Sequence, residues 1–66
     1  MARNTKRELL EAAARVATNK GIQSLTLEAV AKEAGISKGG LFYHFKTKED
    51  LLLAMVEAFV EVTENR

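Results

Sequence analysis

The run Thr26-Leu27-Glu28-Ala29-Val30-Ala31-Lys32-Glu33-Ala34-Gly35-Ile36-Ser37-Lys38-Gly39-Gly40-Leu41-Phe42-Tyr43-His44-Phe45 decides how this chain folds. Thr26 suits a helix N-cap, because its hydroxyl can accept from a free amide of the first turn. Leu27, Val30, Ala31 and Ala34 then recur at helical spacing, with Glu28, Lys32 and Glu33 facing out. Gly35 predicts a left-handed stop, and Ile36 follows where an apolar side chain commonly packs back on such an end. Ser37 caps again at once. Two short helices joined by a turn of about three or four residues containing glycine describe a helix-turn-helix. The small Ala31 and Ala34 permit the two to approach closely.

The second of these helices has an unusual composition. Ser37 to Lys48 holds three lysines, one histidine, one tyrosine and no acid. Gly39 and Gly40 stand where alanine would favour a helix by about 1 kcal/mol each. A bare backbone there implies close approach by something else, with simple flexibility as the duller explanation. Leu41 and Phe45, four apart, point inward; Gly39, Gly40 and Tyr43 fall on the other side, with His44 at its edge. A lysine-rich, acid-free, glycine-softened helix suits a polyanion, and it points to duplex DNA.

Working outward, Thr5-Lys6-Arg7-Glu8 fits a capping box, so the first helix is expected to open near Thr5 with that residue as its cap. Leu9, Ala13, Val16 and Ala17 form its apolar stripe, which Leu10 and Ala14 widen, while Glu8, Glu11, Arg15 and Thr18 lie opposite. Gly21 after Lys20 predicts another left-handed end, and Ile22 and Leu25 belong to a short connection. Thr47-Lys48-Glu49-Asp50 is a second capping box, with aspartate as the acid, opening a helix that runs from about Lys48 to the end of the chain. At helical steps, Leu51, Ala58, Val62, Met55, Phe59, Leu52, Val56, Val60 and Leu53 cover an arc of roughly 220°, against the roughly 100° expected of a helix packed on one side. Asp50, Glu57, Glu61 and Glu64 fill the remainder. That is more apolar surface than three short helices cover. The last helix is therefore expected to pack on something beyond residue 66, making this chain the front piece of a longer protein.

Length and composition set the outer bounds. Sixty-six residues allow one domain with a thin core, since so short a chain buries only about 60% of its unfolded surface. The absence of cysteine removes disulfides and thiolate metal sites. No apolar run approaches the roughly 20 residues of a membrane span, and Met1-Ala2-Arg3-Asn4 does not open a secretory signal. A cytoplasmic location is the default expectation. The net charge of +1 is unevenly divided: residues 1–20 carry +3, 21–36 carry −1, 37–48 carry +3 and 49–66 carry −4. Basic charge thus gathers at the amino terminus and in the central stretch, the pattern of a polyanion-binding side. An enzyme is not expected, because the carboxylates sit at helix starts or on solvent faces and His44 has no nucleophile at usable spacing. Gly35-Ile36-Ser37-Lys38-Gly39-Gly40 lacks the ending of a phosphate loop and any preceding strand. No cofactor and no metal are implied.

The pattern Ala12-Ala13, Gly21, Leu25-Thr26, Val30-Ala31, Ala34-Gly35-Ile36-Ser37, Lys38-Gly39, Phe42-Tyr43-His44-Phe45 and Lys48-Glu49-Asp50-Leu51 resembles the amino-terminal domain of tetracycline-repressor-type (TetR family) regulators. The resemblance covers nearly the whole chain and is most specific from Gly35 to Leu52. It departs at Ala17, where the family commonly has a large core residue, so that the first helix packs more loosely or is filled by Ile22. It also departs at Gly40, where members often place a side chain used in recognition. The resemblance implies an all-α fold: a three-helix, homeodomain-like helix-turn-helix core over residues 1–47, and over 48–66 the start of a longer fourth helix. In the family that helix connects to a larger domain, absent here, which binds a small effector and forms the homodimer. It implies double-stranded DNA as partner and, at full length, a repressor released by its ligand.

Donor type and position then assign the contacts. Ser37, Thr26 and Lys48, at helix starts, suit phosphates, and Tyr43 and His44 resemble the family's phosphate-contacting pair. Lys38 is the candidate for a guanine edge in the major groove. Gly39 and Gly40 let the backbone approach, Leu27 is placed for a thymine methyl, and Arg3 and Lys6 for a flexible arm. Each has a duller counterpart: Thr26, Ser37 and Thr47 as plain caps, Tyr43 as partly core, His44 as buried and hydrogen-bonded, Lys46 as solvated. Phe42 is expected to pack under the turn. The competing function is a helical protein-interaction module that uses the apolar side of the last helix.

Overall fold

Each helix of this chain opens on a short side chain that accepts from a free backbone amide. A computed structural model describes residues 4–64, with side chains through residue 58, and among these residues it is all-helical. The helices are α1 Thr5–Lys20, α2 Leu27–Ala34, α3 Lys38–His44 and α4 Lys48–Glu64, with one 3-10 turn at Ile22–Ser24 between α1 and α2. Thr26 Oγ1 accepts from the Ala29 amide at 3.1 Å, Ser37 Oγ from Gly40 at 3.1 Å and Thr47 Oγ1 from Asp50 at 3.1 Å. Such a cap contributes about 1 kcal/mol to its helix. At α1 the cap is not Thr5. Asn4 Oδ1 accepts from the Arg7 amide at 3.0 Å, since a carboxamide one residue upstream caps at least as well as a threonine hydroxyl. Glu8 is then one position too far along to close the expected box.

The core gathers Leu9, Ala12, Ala13 and Val16 of α1, Leu25 of the connection, Val30 and Ala31 of α2, Leu41 of α3, Phe45 just after it, and Leu51 of α4. α1 packs chiefly on α2, and the alanines at 12, 13 and 31 bring the two backbones close. Positions 9, 12, 13 and 16 are the i, i+3, i+4, i+7 set of one helix face. Ala12 therefore takes the place expected of Ala14, which is exposed, and Ala17 is half-buried. Ile22 does not fill the space beside Ala17, being 57% exposed. The connection contributes Leu25 instead, whose complete burial is worth about 1.5–3 kcal/mol. Gly21 has φ 90° and ψ 156°, a positive φ but not the left-handed helical stop expected, although its amide still donates to the Ala17 carbonyl at 3.0 Å.

The turn after α2 is where φ must be positive. Gly35 has φ 70° and ψ 32°. Its amide donates to the Lys32 carbonyl at 3.2 Å, and the Ile36 amide donates to Ala31 at 2.9 Å. These two bonds are the Schellman arrangement, and Ile36 packs half-buried against the core as such an end requires. Ser37 then caps α3. In α4, Leu51 is fully buried and Leu52, Ala54 and Met55 are half-buried, whereas Leu53 and Val56 are 59% and 58% exposed. The wide apolar arc is thus real as far as Ala58, with Asp50 and Glu57 outside it. The side chains of Phe59, Val60, Glu61, Val62 and Glu64, and all of Arg3, lie outside the described residues.

The glycines at 35 and 39 should respond oppositely to alanine. Gly35→Ala forces a Cβ into the left-handed region at a cost of about 1–2 kcal/mol. Gly39→Ala places a Cβ that meets nothing within 4 Å and gains up to about 1 kcal/mol of helix propensity. Urea unfolding midpoints should move down and up respectively. A shift in the same direction for both would contradict this account of the turn.

Candidate nucleic-acid interface

α3 has seven residues, too few to be stable without tertiary support. Leu41 and Phe45, both buried, hold its inner side. The Phe45 amide closes the last turn on the Leu41 carbonyl at 2.8 Å, and the Lys46 ammonium donates to the Phe42 carbonyl at 3.3 Å. Lys46 therefore satisfies a free carbonyl at the helix end instead of being simply solvated. Phe42 does not pack under the turn as expected; it is 42% exposed. Its position is 100° round the helix from Leu41, outside the sector that the core covers.

The two glycines differ. A Cβ on Gly40 would lie 3.0 Å from Ile36 Cγ2 and 3.3 Å from Ser37 Oγ, while one on Gly39 would meet no heavy atom within 4 Å. Gly40 is half-buried and lets Ile36 and the Ser37 cap close on the first turn of α3, so it does not lie open on the outer side as expected. Gly39 is exposed, and no neighbour among the described residues accounts for it. One turn further along the same side stands Tyr43, 81% exposed and hence not part of the core. Its ring meets His44 edge-on, with centroids 5.1 Å apart and planes at 89°, and His44 lies tilted by 47° on the buried Phe45 at 6.2 Å. The half-buried imidazole thereby links an outward phenol to the core.

The turn geometry places the starts of α2 and α3 close enough for an ion pair, Glu28 Oε2 to Lys38 Nζ at 2.8 Å. Thr26 and Ser37 are exposed; their oxygens accept as caps, and each hydroxyl proton stays free to donate. Leu27 is half-buried against the core, and Lys48 is exposed in the first turn of α4. Sequence reasoning assigned Glu28 to solvent and missed its partner, since pairs across a turn leave no periodic signal. Arg15 Nε to Glu33 Oε2 at 2.9 Å, tying α1 to α2, is a second such pair. Lys20, at the cationic end of α1, lines one open groove with Val16, Thr26, Glu28, Ala29, Lys32 and Glu33, where its charge is met by two carboxylates.

Hydrogen bonding from the Lys38 ammonium, and then its charge, hold the Glu28 carboxyl below the usual carboxylate range, against a small opposing effect of desolvation. A lowered carboxyl pKa means the pairing is fully present above the ordinary value and is lost as pH falls through the lowered one. Among the described residues there is no cluster of side chains able to hold a metal ion, and no helix is long and apolar enough to cross a membrane.

A short helix set against a supporting helix by a glycine turn, with caps, a lysine and an outward tyrosine at its surface, defines the helix-turn-helix class of DNA-binding domain. The model of the family described as bacterial regulatory proteins, tetR family, matches residues 9–55. The chain belongs to that family and is the DNA-binding domain of a TetR-type transcriptional regulator. It is 38% identical over 64 residues to the HTH-type transcriptional regulator YerO of Bacillus subtilis, covering 96% of this chain and 22% of that protein. It is 38% identical over 50 residues to the regulator AcrR of Shigella flexneri, covering 76% and 23%. To the HTH-type transcriptional repressor KstR2 of Mycolicibacterium smegmatis it is 35% identical over 54 residues, covering 82% and 26%. The chain thus spans about a quarter of the length of these relatives. No solved structure gives a significant match.

Replacing Lys38 by alanine should let the Glu28 carboxyl titrate at higher pH, back toward the ordinary glutamate range. Carboxyl chemical shifts followed by NMR across the acid range would measure it, and an unchanged midpoint would show that the pair does not persist in solution.

Proposed function

We propose that α3 docks in the major groove of duplex DNA, with Lys38 on a guanine edge and Thr26, Ser37, Tyr43, His44 and Lys48 on phosphates. The carrying observation is the outer side of α3, where Gly39 is bare with no neighbour among the described residues to explain it and Tyr43 is solvent-facing one turn on. Without a Cβ at Gly39 a groove wall can come within van der Waals distance of the helix backbone. Gly40 contributes chiefly by seating α3 against Ile36, and Leu27 stands at the edge for a thymine methyl. Lys6, near the opening of α1, lines a groove with Leu10, Ala54, Glu57 and Ala58, so no contact is assigned to it beyond a place near the arm. No catalytic step is assigned to any residue.

In the full-length protein, residues 1–47 form the DNA-binding core and 48–66 begin a connecting helix. That helix leads into a domain that binds a small effector and forms the homodimer, and the whole acts in the cytoplasm as a repressor released by its ligand. Support for the connection comes from Leu53 and Val56, apolar and more than half exposed on α4. The same two residues favour the second reading, an interaction module working through α4 alone.

Salt separates the two. Each phosphate neutralised by a lysine or arginine adds about −0.9 to the log–log slope of affinity on salt, so docking on DNA gives a steep slope, whereas an apolar interface barely responds. Fluorescence anisotropy on random duplex should show the steep slope, and absence of binding at low salt would remove the DNA docking. Lys48→Ala should weaken all duplexes about equally, while Lys38→Ala should flatten sequence preference by about 1–3 kcal/mol. Gly39→Ala, though it stabilises the fold, should weaken binding to every duplex. Identical behaviour of the two lysine variants on preferred and random DNA would refute the division of labour.

A further inference from the structure

Lys38 is the only lysine of α3, and its ammonium lies 2.8 Å from Glu28, with the side chains 60% and 74% exposed. So exposed a pair contributes little to stability, so the fold does not explain why an acid stands against that lysine. We propose that Glu28 is a positioning residue for sequence discrimination: held on Lys38, it keeps the ammonium off DNA phosphates and leaves it for the neutral acceptors of a guanine edge. This rests on the reading of Lys38 given above.

The donor inventory permits it. An ammonium has three N–H donors; Glu28 takes one, and two remain for guanine O6 and N7. A phosphate meets different conditions. It would bring a second full negative charge to a lysine already neutralised, close to the Glu28 carboxylate, and a neutral pair gains little from counterion release. Guanine O6 and N7 carry only partial charge and tolerate the carboxylate nearby. Glu28 therefore weakens binding to every duplex, but weakens phosphate-bound registers more. Discrimination obtained by penalising the wrong partner is a recognised route to specificity.

The test uses the 66-residue chain. Duplexes are selected from a randomised library, and affinities for selected and random duplex are measured by anisotropy between about 50 and about 200 mM salt. Wild type is compared with Glu28→Gln, Lys38→Ala and the double variant, with helix content checked by circular dichroism. Glu28→Gln should tighten random duplex about three- to tenfold at low salt and steepen the salt slope by about 0.9, one added phosphate contact. The selected-to-random ratio should fall, by somewhat less than the gain on random duplex, because a guanine-bound register gains less from losing the carboxylate than a phosphate-bound one. In the Lys38→Ala background the same change should leave the slope unaltered. Equal tightening with and without Lys38 would mean general repulsion and would overturn the proposal, as would an unchanged selected-to-random ratio; the DNA docking would survive both. If wild type bound no duplex at low salt, or enriched no sequence, the groove reading itself would fall and this one with it.

Discussion

The rest of the structure depends on the positive φ at Gly35. With φ 70° there, two amides turn back to the Ala31 and Lys32 carbonyls and satisfy the end of α2. That closure leaves only Gly35, Ile36 and Ser37 between the helices, and Ser37 is already the next cap. So short a path leaves few ways to orient α3 on α2. Leu41 then joins Val30 and Ala31 in the core, and the Lys38 flank arrives beside Glu28. A bulkier residue at 35 would strain the very bonds that set the angle.

Support for α3 comes from outside it. Seven residues with two glycines would not form a helix alone. The Ser37 cap, the burial of Leu41 and Phe45, and the Lys46 ammonium on the Phe42 carbonyl secure its two ends and its inner side. Its outer side is thereby relieved of structural duty. Gly39 weakens the helix and gains no packing in return, and Tyr43 leaves a large ring in water beside His44. Local choices that oppose stability without a compensating contact tend to mark functional positions. On the proposed docking these are the two residues that the fold itself can spare.

What could be read from the chain was local. Thr26, Ser37 and Thr47 cap within three residues of themselves, and Gly35 stops a helix through its own dihedrals, so each was legible. Leu41 and Phe45 were legible because one helical turn separates them. In the run Ala12-Ala13-Ala14 only Ala13 was legible: three equal apolar residues carry no phase of their own, and it is the set begun at Leu9 and closed at Val16 that takes in Ala12 and leaves Ala14 exposed. Asn4 and Thr5 competed for one cap on nearly equal terms. Gly39 and Gly40 look alike in sequence and differ only because Ile36, folded back by the turn, lies 3.0 Å from where a Gly40 Cβ would be. Glu28 and Lys38 sit in different helices, and nothing short of the turn geometry brings them together.

That pairing bears on how a domain with a net charge of +1 engages a polyanion. At physiological salt, charges farther apart than about 8 Å hardly feel one another, so the local arrangement outweighs the total. Lys46 is committed to a helix end and Lys38 to Glu28, leaving Lys48 as the lysine of the central stretch with no such engagement described. Glu49 and Asp50 stand next to it, where they favour the positive end of the α4 dipole and also limit how much phosphate that end attracts. In the central stretch, non-specific attraction is therefore restrained at Lys38 by Glu28 and at Lys48 by Glu49 and Asp50. A domain built this way depends on exact fit along α3 more than on bulk charge. Such fit requires α3 to be held by the Gly35 turn at one orientation, because a base edge, unlike a phosphate field, is met only within hydrogen-bond reach.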